Sequence, residues 1–315
     1  MSDSPALAAR ARLSQAVQRL YYGPLPPEEY RRTVAWDEEG SAIAAATLAS
    51  GKPCLVARFG SSELGCVSFY TRWRRGRVLP VPYPASLRHV MRDNAGVFPV
   101  TDIVLDRFAE VFLAAVRATD VMGVWFNRNE QRVVSEFCPT ARLVHLEALN
   151  VVSCAHPWSA ELAGKTVLVV HPFAKTIESQ YRANRTRLFA NPETLPLFQL
   201  KTLPAVQSAA GNPSGYADWF AALDDMVGRI AACDFDVAVI GAGAYGLPLG
   251  AAVKAMGRQA IHLGGQTQLL FGIKGRRWEV ESAEDVACHF NEYWVRPSAE
   301  ETPVGAGLVE GGCYW

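Results

Sequence analysis

Residues Asp236–Gly265 read DVAVIGAGAYGLPLGAAVKAMGRQAIHLGG. Asp236 to Ile240 is a short, β-branched apolar run of the kind that forms a strand buried on both faces. Gly241, Gly243 and Gly246 follow at once in G-x-G-x-x-G spacing. A helical segment from about Leu247 to Met256 comes next, with Pro248 tolerable in its first turn and Gly257 placed to end it. Gln259 to Leu263 reads as another strand. Strand, glycine turn, helix and strand make one crossover unit. The chain is therefore expected to be α/β, with a mostly parallel sheet flanked by helices. Such a turn presents backbone N–H groups and a helix N-terminus to a phosphate or diphosphate.

The spacing also fits a tight helix–strand contact with no ligand. A nicotinamide or flavin dinucleotide would need an acidic residue at the end of the second strand to hold the ribose hydroxyls. His262, Leu263, Gly264 and Gly265 stand there instead. An NAD(P)-dependent oxidoreductase is therefore the runner-up.

Outside this unit, the 315 residues are 50% hydrophobic and carry 31 basic against 31 acidic side chains. The apolar content supports a sizeable core. The balanced charge argues against a nucleic-acid partner, which calls for a basic excess. No apolar run is long enough to span a bilayer, and the N-terminus lacks the apolar core of a signal peptide. Seven scattered cysteines without a C-x-x-C pair point to reduced thiols in a cytoplasmic protein and away from zinc.

Residues 1–35 begin as an Ala/Arg-rich helix broken by Tyr21–Gly23 and three prolines. This segment reads either as a frayed terminus or as an arm contacting a second copy in a homo-oligomer. The length allows one large domain or two small ones, with a joint between two halves near 153–165. Residues 296–315 form a tail whose Tyr314 and Trp315 should pack back rather than face water. Strands are expected near 53–58, 121–125, 142–146, 166–170 and 198–203. Helices are expected near 37–50, 102–118, 131–137, 176–189 and 283–294, with an irregular Pro-rich connection around 80–96.

Carboxyl ends of parallel strands are where ligands bind in open α/β sheets. Arg58 and Glu63 follow one such end, although they also fit a surface ion pair capping the next helix. His171 follows another, with a satisfied core histidine as the alternative. Arg72, Arg74, Arg75 and Arg77 around Trp73 suit either an anion or a solvated loop. Lys274 and Arg276, beside glycines, suit a clamp for phosphate oxygens. Tyr245 suits stacking against a base or sugar as well as it suits the core.

The block Arg58-Phe59-Gly60-Ser61-Ser62-Glu63 resembles the R-F-G-D-G-E signature of the GT-D fold glycosyltransferases. The Asp236–Gly265 unit resembles the late strand–glycine–helix–strand unit of those enzymes, which closes on Asp-Ile-Gly-His where this chain has His262-Leu263-Gly264-Gly265. The ending NEYWVRP…GCYW resembles a bacterial branch near that family. The resemblance implies a Rossmann-like fold in a single GT-D-like domain over residues 36–295, a nucleotide-sugar donor, transfer of its sugar to an unknown acceptor, and a divalent Mn or Mg ion held by an Asp-x-Glu pair. Ser61 stands where that Asp would be, which leaves Glu63 as the candidate metal ligand, and a neutral hydroxyl is a poor ligand for a hard cation. The implied donor-binding set is Gly60, Ser61, His171, Gly241, Gly243, Tyr245, Gly246, His262, Gly264, Gly265, Lys274 and Arg276. Glu63 and Arg58 are the implied catalytic pair. A non-catalytic nucleotide-sugar-binding protein is the remaining alternative.

Overall fold

Strand β1 (Cys54–Arg58) sends Leu55 and Ala57 into one hydrophobic cluster and Cys54 and Val56 into another. The same alternation holds in β4 (Thr166–His171), where Leu168 and Val170 oppose Val167 and Val169. It holds again in β6 (Val237–Ile240), where Ala238 and Ile240 oppose Val237 and Val239. A strand apolar on both faces must be covered on both faces, which is the condition of a parallel sheet. The computed structural model describes residues 5–152, 154–280, 284 and 286–315. Its sheet is seven-stranded and parallel throughout, completed by β2 (Val121–Val124), β3 (Arg142–His145), β5 (Gln199–Pro204) and β7 (Gln259–His262). The strand order is β3-β2-β1-β7-β6-β4-β5.

The helices are α1 (Pro5–Tyr22), α2 (Glu28–Arg31), α3 (Asp37–Ala49), α4 (Ser61–Trp73), α5 (Ala85–Asp93), α6 (Asp102–Arg117) and α7 (Glu130–Phe137). They continue with α8 (Ala174–Asn184), α9 (Trp219–Ala231), α10 (Gly246–Ala255), α11 (Thr267–Leu270) and α12 (Arg276–Val280). One face of the sheet is covered by α4, α6, α9 and α10, the other by α3 and α8. Thr101 caps α6 by accepting the Val104 N–H. Because α6 packs against both α4 and α10, it buries Leu105, Phe108, Ala109, Phe112 and Leu113, a wider face than one apolar stripe.

The connection leaving β4 runs outward to β5, whereas the one leaving β6 runs the opposite way to β7. The carboxyl ends of β4 and β6 therefore border a crevice at a topological switch point.

Two expectations differ from the structure. The Pro-rich stretch holds α5, whose Leu87 and Met91 are buried at i, i+4 spacing among otherwise polar residues. The helix expected at 283–294 is, in its described part, a single 3-10 turn at Ala287–His289; residues 283 and 285 lie outside the described residues. Val295 forms a parallel bridge with Ile273 and the Trp294 indole donates to Leu188 O, which draws the chain out of helical geometry. The C-terminal segment lies against the domain: Arg277 N–H donates to Cys313 O at 2.9 Å and the Gln268 side chain to Tyr314 O at 3.2 Å.

Candidate functional site

A cleft opens over the carboxyl ends of β1, β4, β6 and β7, with about 1220 Å³ of empty space including its open mouth. Arg58, Gly60, Ser61, Glu63, His171, Gly241, Gly243, Tyr245, His262, Gly264 and Gly265 all line it. Parallel strands ending at one edge bring these residues together from across the chain.

The glycines are explained by what lies on them. A Cβ on Gly60 would come within 1.8 Å of Glu63 Oε2, and one on Gly241 within 2.5 Å of the His171 ring. A Cβ on Gly264 would lie 2.7 Å from Arg58 Nη1. Gly243 is different: it adopts φ +51° with nothing within 4 Å of its Cβ position, so it gives the turn its shape and leaves the space above it open. Just before α10, the backbone N–H groups of Ala242, Gly243 and Ala244 donate to no acceptor among the described residues. Unpaired N–H groups at a helix N-terminus form an anion cradle.

Arg58 Nε donates to Phe59 O at 3.0 Å, and its guanidinium lies 5.6 Å from the Trp125 ring centroid. No carboxylate among the described residues comes within ion-pair distance of it. Burial pulls its pKa down, opposed by Tyr314 and Glu63. Glu63 is 8% exposed, and burial raises its pKa against its own backbone N–H and Arg58. The two do not form the capping ion pair.

The two histidines are buried and neutral, each with its pKa pushed down to about 3 by burial, His262 also by Arg58. His171 Nδ1 accepts the Phe173 N–H at 2.9 Å, which places its proton on Nε2. His262 Nδ1 faces Ile240 O at 3.3 Å; a carbonyl only accepts, so here Nδ1 carries the proton and Nε2 is an acceptor. One cleft histidine thus offers a donor and the other a lone pair.

Several residues fall elsewhere. Gly246 lies beneath the His262 ring, 2.1 Å from where its Cβ would be, and does not line the cleft. Lys274 Nζ sits 5.8 Å from the Phe290 ring centroid, and Arg276 donates to Gly311 O. Neither reaches the cleft; Arg277, one residue on, does. Tyr245 stacks on Trp219 at 4.8 Å and its hydroxyl bonds to Ser208 Oγ at 2.9 Å, so it forms a wall. Arg277, Glu310 and Tyr314 were not read as site residues, although the expectation that the terminal aromatics pack back pointed toward them.

No group of three or more His, Cys, Asp or Glu side chains converges on a metal position among the described residues. Of the cleft carboxylates, Glu63 is drawn toward its neutral form and Glu310 is paired with Arg277, while Ser61 offers an exposed hydroxyl. This donor set does not fit a divalent ion held by the protein alone.

No family model matches the chain, and no curated protein matches it. A solved structure described as the selenomethionine-substituted domain of unknown function 1792 is similar over 85% of this chain and 93% of its own, at 11% identity and a TM-score of 0.43.

Proposed function

We propose that the cleft binds a nucleotide-sugar donor by its diphosphate and transfers the sugar to an acceptor hydroxyl. The observation that carries this reading is that an arginine without a carboxylate partner and three unpaired backbone N–H groups line one cleft. Both features favour an anion, and the cleft has room for more than a phosphate. The resemblance of the Arg58–Glu63 block to the GT-D signature supports the same reading, because that block forms the cleft's wall.

In the proposed reaction the acceptor oxygen bonds to the anomeric carbon as the bond from that carbon to the diphosphate breaks. Charge gathers on the leaving diphosphate, where Arg58 and the Ala242–Ala244 N–H groups receive it without reorganising. His171 Nε2–H adds a neutral donor. Glu63 takes the acceptor proton; burial that raises its pKa makes it a stronger base than a solvated carboxylate. No step is assigned to a protein-held metal, because the donor set does not fit one.

Calorimetry with a panel of nucleoside diphosphates and nucleotide sugars, each with and without Mn²⁺, and with NADH as control, tests the binding. Release of nucleoside diphosphate tests turnover. Binding without release would favour a non-catalytic binding protein, and NADH binding alone would return the oxidoreductase reading.

A further inference from the structure

The tail closes one side of the cleft, and its chemistry there mirrors that of a phosphate. Arg277 Nη2 is bound by the Glu310 carboxylate, and Nη1 donates to the Tyr314 hydroxyl at 3.3 Å. All three side chains line the cleft that holds Arg58. The two arginines flank one turn. The Cβ position of Gly264 is 2.7 Å from Arg58 Nη1, and that of the adjacent Gly265 is 2.3 Å from Tyr314 Cε1. Two guanidinium groups facing one space repel each other, and Arg277 acts on Arg58 in this sense. Glu310 offsets that repulsion in the unliganded protein.

We propose that Arg277 is a second phosphate-binding position of the cleft, and that Glu310 occupies it as an internal stand-in which the ligand's phosphate displaces. This inference rests on the diphosphate reading of the cleft. Arginine suits the exchange, because its planar fork binds carboxylate and phosphate oxygens in the same geometry. The anchoring is divided accordingly. The Arg277 main chain is tied to Cys313 O at 2.9 Å and Tyr314 O is tied to Gln268, neither through the Glu310 side chain. Glu310 itself sits at φ +48°, followed by Gly311 and Gly312 at +71° and +79°. This left-handed turn presents the carboxylate on a short exposed loop. Its side chain is 29% exposed, so it can rotate into water when a more highly charged anion takes its place. The tail would then discriminate for diphosphates: a lone carboxylate ligand gains little by exchanging with another carboxylate, whereas a diphosphate spans Arg58 and Arg277 together.

Titrating inorganic pyrophosphate and uridine diphosphate into wild type, Glu310→Gln, Arg277→Gln, the double variant and Arg58→Met decides the matter. Glu310→Gln, which keeps shape and removes the competing charge, should tighten pyrophosphate about tenfold. Arg277→Gln should weaken it about tenfold, and Glu310→Gln should tighten binding less in the Arg277→Gln background than in wild type, since Glu310 competes chiefly through Arg277 and acts on Arg58 only by its charge. Equal or weaker affinity in Glu310→Gln overturns the proposal, and Glu310→Ala repeats the test should the glutamine disturb the turn. If Arg58→Met abolishes binding while Glu310 and Arg277 variants match wild type, the diphosphate reading stands and this inference fails. If wild type binds neither probe, both fail.

Discussion

Arg58 and Arg74 each admit an anion-binding reading in the sequence and end in opposite electrostatic states. Arg74 is buried, its side chain 5% exposed. Asp106 grips it at 2.5 and 2.8 Å, Asp102 stands at 3.4 Å and Val81 O accepts at 2.6 Å. The hydrogen bonds it donates to Asp106 raise its pKa. Arg58 has one backbone acceptor, a nearby indole and no carboxylate in reach, and burial lowers its pKa. An arginine that the fold neutralises itself holds α4 to α6. One that the fold leaves uncompensated costs stability and awaits an anion.

The sharpest extension of this contrast is at Glu63, a buried carboxyl with no cation within ion-pair distance among the described residues. Glu63→Gln should reduce nucleotide-sugar turnover by about 10²–10⁴-fold with nucleoside diphosphate affinity retained; full activity would remove Glu63 from the chemistry. Arg74→Met should lower stability by about 3 kcal/mol in denaturant unfolding, because it leaves Asp106 without its cation, and should spare nucleotide affinity. Arg58→Met should do the reverse, weakening nucleoside diphosphate binding by about 2 kcal/mol with an unchanged or raised thermal midpoint. If the two variants exchange phenotypes, the contrast is broken. Gly243→Val should cost about 1–2 kcal/mol for the left-handed backbone and weaken the same ligand while the protein stays folded; unchanged affinity in calorimetry would make the turn purely structural.

Acidification sharpens the contrast differently. His171 and His262 titrate near 6.5 when unfolded but have folded pKa values of about 3. Between those values the unfolded chain binds more protons, so their neutral burial loses stability as pH falls from about 6.5 toward about 3. Glu63, with its raised pKa, acts oppositely: its contribution is lost as pH rises through its folded value. His262→Gln should therefore lose less of its thermal midpoint than wild type between about pH 7.5 and about pH 5. An identical drop in both would show that His262 is already charged or exposed. The smallest effect should be that of reductant. None of the seven cysteines forms a disulfide, so the midpoint should be the same with and without it.

Much of the scaffold was legible because its signals are local. The run DVAVI and the run TVLVV each form a strand where their apolar pattern placed it, and Gly241–Gly246 turns into α10 with Pro248 in its first turn. The helix α5 was hidden because two buried residues among charged ones make a faint stripe, and the prolines before it read as a break. No helix among the described residues is long and apolar enough to cross a membrane.

What the sequence by itself determined is a parallel α/β sheet whose strand ends carry Arg58, Glu63, His171 and a glycine turn, since strand propensity and positive-φ glycines act over a few residues. What only the tertiary structure decided is which of the arginines meets a counter-charge. Asp106 is 32 residues from Arg74 and Glu310 is 33 from Arg277. Lys274 and Arg276 turn away while Arg277 enters the cleft, because the chain's last residues pack beside α12 and their positions follow from the fold of everything before them.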